Sequence, residues 1–79
     1  MKIEIRSFAT LSVYNSHPGI DKDSGLEIAA GSTVKTLIEI LGIPEEDLKL
    51  IFVNGRHSKI DTVLSEGDRV GLFPPVGGG

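Results

Sequence analysis

The residues with the clearest chemical potential are the last seven, Phe73-Pro74-Pro75-Val76-Gly77-Gly78-Gly79. Glycine lacks a Cβ, so residues 77–79 make a narrow strip of chain that can enter a slot closed to any side chain. Its tip offers one unhindered carboxylate. Such a group suits activation by adenylation: a carboxylate oxygen attacks the α-phosphate of ATP, and the Gly79 carbonyl then accepts a nucleophile. Pro74 and Pro75 have fixed φ and favour extended chain, which would hold the strip away from the body. Other chemistry is sparse. There is no cysteine, which excludes disulfides and thiolate metal ligands. His17 and His57 each stand apart from other metal-binding residue types and read as solvated. Glu45-Glu46-Asp47 reads as solvated acid at the start of a helical turn.

The elements that must position this terminus follow from hydrophobic periodicity. Residues 2–8 alternate, with Ile3, Ile5 and Ser7 on one face and Lys2, Glu4, Arg6 and Phe8 on the other, which predicts a strand with one buried face. Residues 9–24 are rich in turn formers and read as a long loop, within which Ala9-Thr10-Leu11 and Val13-Tyr14 could form a short turn packed on the core. Leu26-Glu27-Ile28 is a second short strand. Ser32 is a candidate N-cap for a helix whose apolar stripe is Val34, Leu37, Ile38 and Leu41. Gly42 suits the left-handed end of that helix, and Pro44 stops its continuation. Residues 45–47 look like one further turn. A third strand at 49–53 leads through Asn54-Gly55, which favours a type I′ turn, into a short polar return strand at 56–59. Glu66-Gly67-Asp68 makes another turn. The last strand, residues 69–73, has Val70 and Leu72 inward and stops at the diproline.

One helix among these strands must lie across one face of a mixed sheet. The expected class is α+β: a β-grasp, or ubiquitin-like, fold with a four- to five-stranded sheet. Its first and last long strands would be neighbours at the centre. Parity then puts Phe8 and Phe73 together on the face away from the helix. Phe52 joins them if Ile51 and Val53 point inward, the arrangement favoured for the third strand. Arg69 shares that side. Exposed aromatics placed together predict a partner-binding patch of Phe8, Phe52, Arg69 and Phe73.

Bulk properties narrow the function classes. Seventy-nine residues make one small domain, expected as a folded unit at 1–75 and a flexible glycine tail at 76–79. The hydrophobic fraction of 39% and charged fraction of 24% suit a soluble globule. The net charge is −3 and the basic residues are scattered, which argues against nucleic acid and leaves room for a basic pocket on a protein partner. The alternating N-terminus lacks the continuous apolar stretch of a secretory signal, and nothing spans a bilayer. The reading is a cytoplasmic protein, off the membrane and monomeric when free.

Four stretches carry a family resemblance: Phe8-Ala9-Thr10-Leu11, Val53-Asn54-Gly55, the series Leu64, Gly67-Asp68 and Val70, and the terminal Phe73-Pro74-Pro75-Val76-Gly77-Gly78-Gly79. On these the chain resembles the ubiquitin-like sulfur carriers, and among them the small subunits of molybdopterin synthase. Those proteins usually have alanine where this chain has Gly77, so Gly78-Gly79 matches the family's terminal diglycine. Many of them also have a more regular helical segment across residues 13–23. The resemblance implies no bound cofactor and no catalytic side chain. A ubiquitin-activating-enzyme-like adenylyltransferase would use ATP to activate Gly79, and a sulfur donor would replace AMP to leave a C-terminal thiocarboxylate. The tail, Pro74 through Gly79, would then enter the large subunit of molybdopterin synthase, or an equivalent acceptor, in molybdenum or tungsten cofactor synthesis. Other acceptors remain open: thiazole, a thiolated tRNA base, or cysteine and methionine synthesis. So does conjugation of Gly79 to target proteins as a ubiquitin-like modifier.

Overall fold

A computed structural model describes residues 1–75. The expected tail at 76–79 lies outside the described residues.

Five strands form one sheet: β1 (Lys2–Ser7), β2 (Gly25–Glu27), β3 (Leu50–Val53), β4 (Arg56–Ser58) and β5 (Arg69–Phe73), in the order β2-β1-β5-β3-β4. β1 and β5 run parallel at the centre, and the other pairs are antiparallel. This is the expected β-grasp order. One α-helix, α1 (Val34–Leu41), supplies the apolar stripe anticipated for it: Val34, Leu37, Ile38 and Leu41 are all buried. They share a core with Ile3 and Ile5 of β1, Val70 and Leu72 of β5, and Ile51 and Val53 of β3. The inward parity of β3 is therefore Ile51 and Val53, with Phe52 on the other face.

The helix N-cap is Thr33 and not Ser32. The Thr33 hydroxyl accepts the Thr36 N–H at 3.3 Å, and the Thr36 hydroxyl accepts the Thr33 N–H at 3.3 Å, closing a reciprocal capping box. Ser32 is unavailable because its Oγ donates to the Ala29 carbonyl of the preceding turn at 2.7 Å. Two further N–H groups at this end find partners from another segment: Val34 donates to the Thr62 carbonyl at 3.1 Å and Lys35 to the Ile60 carbonyl at 2.8 Å. At the other end Gly42 has φ 81°, and Ile43 N–H returns to the Ile38 carbonyl at 2.9 Å, as a left-handed helix stop requires.

The polar stretch after β1 is more ordered than its composition suggests. A 3-10 helix occupies Ala9–Ser16, with Leu11 buried in the core. Asn15, which reads as a turn former, anchors it. Its side-chain amide accepts the Ser7 N–H at 3.0 Å and donates to the Ser7 carbonyl at 2.9 Å. β2 pairs with β1 only along Lys2–Glu4, so Ser7 has no strand on that side. The Asn15 amide stands in for one. The strand limits are correspondingly shorter than expected: β1 ends at Ser7, and Phe8 begins the turn into the 3-10 helix.

Asn54 at φ 53° and Gly55 at φ 80° form the type I′ hairpin turn between β3 and β4. Glu45–Asp47 is a second, single 3-10 turn. Among the described residues no helix is long and apolar enough to cross a membrane.

Candidate functional site: the outer sheet face and the root of the tail

Pairing places residues on the face away from α1 in rows. Arg6 stands opposite Gly71, Gly71 opposite Phe52, and Phe52 opposite His57. One step along, Phe73 pairs with Leu50, and Phe8 N–H donates to the Leu72 carbonyl at 3.0 Å. The rings of Phe8 and Phe73 stack with centroids 4.5 Å apart and planes 7° from parallel. Phe52 meets Phe73 edge to face, with centroids 5.6 Å apart and planes at 83°. Both geometries are those favoured by the ring quadrupole.

The structure thus brings Phe8, Phe52 and Phe73 into one cluster. Phe8 is 41% exposed despite its stacking. Arg69 borders the same hollow, with Arg6 and Glu4 on its β1 side. Arg6 Nε lies 3.1 Å from Glu4 Oε2, an exposed pair of small energetic consequence. The hollow is therefore an aromatic floor with charge of both signs at its edge.

Two residues of this face go beyond the sequence reading: Gly71 is not singled out there, and His57 is read only as solvated. Gly71 lies beneath the rings: a β-carbon there would stand 3.5 Å from the Phe73 ring and 3.7 Å from the Phe8 ring. Its parity with Phe73 was the available signal. His57 sets its ring against Phe52, with centroids 5.7 Å apart. That contact follows from counting outward from the two-residue turn, since Val53 pairs with Arg56 and Phe52 with His57. Among the described residues no group of three His, Asp or Glu side chains could hold a metal ion.

β5 carries the chain out of the sheet beside this cluster. Its last ladder bond is Lys49 N–H to the Phe73 carbonyl at 2.8 Å. Pro74 and Pro75 have no N–H to continue the ladder. Pro74 is half-buried and Pro75 exposed. They border a groove walled by Thr10, Val13 and Tyr14 of the 3-10 helix and by Asp47 of the second 3-10 turn. The other expected tail residues, Val76, Gly77, Gly78 and Gly79, lie outside the described residues.

The comparisons with known proteins agree on the fold. The family model described as the ThiS family matches residues 13–79. A solved structure from Pyrococcus furiosus, named "Putative molybdopterin converting factor, subunit 1", is 31% identical with a TM-score of 0.62, over 95% of this chain and 98% of that one. A complex of subunits 1 and 2 of molybdopterin-converting factor from Helicobacter pylori contains a chain 29% identical, with a TM-score of 0.56 and full coverage of both chains. The small archaeal modifier protein 1 of H. volcanii is 17% identical with a TM-score of 0.64, over 95% of this chain and 98% of that one, a likeness of fold. Among curated proteins none matches this chain.

Proposed function

The chain belongs to the ThiS family of ubiquitin-like sulfur carriers, and on that premise we propose that sulfur is carried on the carboxyl group of Gly79. An adenylating enzyme joins the Gly79 carboxylate to AMP and releases pyrophosphate. A sulfide-level nucleophile adds to the Gly79 carbonyl and AMP leaves with its bonding electrons, giving the thiocarboxylate. The thiocarboxylate sulfur bonds to an acceptor carbon and displaces a leaving group there. Water then attacks the Gly79 carbonyl and its C–S bond breaks, which leaves the sulfur on the acceptor and restores the carboxylate. The chain contributes no acid or base to these steps. It contributes a carbonyl with no side chain around it and a folded handle by which partners hold it.

The observation that carries this reading is the exit of β5. The last strand is central, paired on both sides, and runs into a diproline beside a partly exposed aromatic cluster. A tail anchored this way starts from a fixed point next to a docking face. The family match spans residues 13–79, which supports reading the glycines at its end as the working tail. The docking face is Phe8, Phe52 and Phe73 with Arg69 at its border. Its proposed partners are the adenylating enzyme and a sulfur-accepting large subunit. The acceptor pathway is proposed as pterin cofactor synthesis, supported by the two relatives named for molybdopterin conversion, at 31% and 29% identity. Conjugation to other proteins has only a likeness of fold behind it.

The test is direct. The protein is incubated with its cognate adenylating enzyme, ATP and sulfide, and its intact mass is taken. The expected change is one oxygen exchanged for one sulfur, lost when Gly79 is deleted or one residue is appended. An unchanged mass for the wild type would sink the reading.

A further inference from the structure

A second surface adjoins the root of the tail, and it shares no residue with the aromatic hollow. Val13 is 70% exposed, although its neighbour Leu11 in the same 3-10 helix is buried. Val13, Thr10 and Tyr14 form one wall of a groove of about 370 Å³. Pro74, Pro75 and Asp47 complete it. Asp47 ends the run Glu45-Glu46-Asp47, all exposed and in no ion pair among the described residues. The groove thus mixes apolar surface from Leu11, Val13, Pro74 and Pro75 with the hydroxyl-bearing Thr10 and Tyr14, and Asp47 is the acid at its edge.

The reach of the chain decides what must lie against it. Extended backbone advances at most about 3.6 Å per residue, so the four residues after Pro75 span no more than about 14 Å. An enzyme acting on Gly79 must bring its reacting centre within that distance of Pro75. On the carrier reading the glycines enter a slot in that enzyme, and a reach this short brings the rim of the slot close to the tail root.

We propose that the groove is a collar for the tail-processing enzyme. An apolar side chain on the enzyme's rim packs on Val13, and a lysine or arginine beside it faces Asp47. The collar deepens the carrier reading and rests on it: it adds a contact at the tail root, separate from the aromatic face, through which a partner is selected. Charge complementarity gives it direction, since a basic rim is attracted to the 45–47 run and an acidic one repelled.

The experiment uses the full-length protein with the purified adenylating enzyme of the same organism, ATP and sulfide. Val13→Asp and Asp47→Lys are compared with wild type, with Val13→Ile as the conservative control. Both altered side chains are exposed, so thermal melting should match wild type. A docking contact raises the KM for the carrier about tenfold in each and leaves kcat unchanged, while Val13→Ile stays near wild type. Both KM values within about twofold of wild type would overturn the collar and leave the carrier reading standing. A fall in kcat at constant KM also overturns it, because that places these residues in the chemistry and not in docking. Failure of the wild type to gain sulfur removes the carrier reading and the collar with it.

Discussion

Single residues here owe their behaviour to neighbours brought from far along the chain. Asp21 accepts from Lys2 Nζ at 2.7 Å, from Gly25 N–H at 2.8 Å and from Asp23 N–H at 2.9 Å. The lysine bond foremost, then the two backbone donors, lower its pKa from 3.8 to about 2. The same bond raises the pKa of Lys2. The bridge crosses Gly25, where a β-carbon would collide with Lys2 Cε. A carboxyl depressed in the folded state favours folding above its unfolded pKa. That contribution therefore holds above about 3.8 and disappears as pH falls through about 2. Titration of the Asp21 carboxyl followed by NMR should show its midpoint near 2 in the folded protein. A midpoint near 3.8 would mean the bridge is absent in solution.

Helices and strands in this fold are completed by groups outside them. β1 is finished by the Asn15 amide, which satisfies both main-chain groups of Ser7. Removing a hydrogen-bonding partner from part-buried groups costs about 1–3 kcal/mol. Asn15→Ala should destabilise the domain toward the lower end of that range, because water can reach the exposed side of the pair. It should also speed hydrogen exchange at the Ser7 amide while leaving the Ile5 amide protected. Equal acceleration at both would point to general unfolding and not to loss of a local anchor. The same anchor keeps the Ala9–Ser16 helix against β1. Ala9 turns the chain there at φ 52°, a conformation that costs a non-glycine residue roughly 1–2 kcal/mol. Losing the anchor should therefore loosen the wall of the tail-root groove as well.

Taken whole, the molecule has two unlike faces on one thin sheet: the core packed with α1, and the aromatic cluster proposed for docking. Leu72 and Phe73 are adjacent in β5 and serve opposite sides. Leu72 is fully buried under α1, and Phe73 is half-buried in the aromatic cluster. Leu72→Ala should cost roughly 2–5 kcal/mol in urea denaturation, a large share of the stability of a domain this small. Phe73→Ala should cost less than Leu72→Ala and should weaken binding to the adenylating enzyme more than it weakens the fold. If the two variants lose stability and binding in the same proportion, the faces are not functionally distinct.

Much of this arrangement is legible along the chain, because its causes are local. Alternation with period two puts Ile3, Ile5, Val70 and Leu72 inward and Phe8 and Phe73 outward, whatever the strands later pair with. The stripe of α1, its Gly42 stop and the Asn54-Gly55 turn depend on residues within a few positions of one another. The Phe73-Pro74-Pro75 stretch and the glycine run are likewise read from composition alone, and the proposed carrier chemistry starts from them. Other features depend on which distant segments meet. The stacking of Phe8 on Phe73 at 4.5 Å requires the parallel β1–β5 register, set by packing both strands under one helix. The choice of Thr33 over Ser32 as the cap turns on Ser32 Oγ being held by Ala29 and on the 60–62 segment arriving at the helix end. Asn15 becomes an anchor only because β2 stops short of Ser7. In each case the residue type allows several partners, and tertiary packing selects one by removing the competitors.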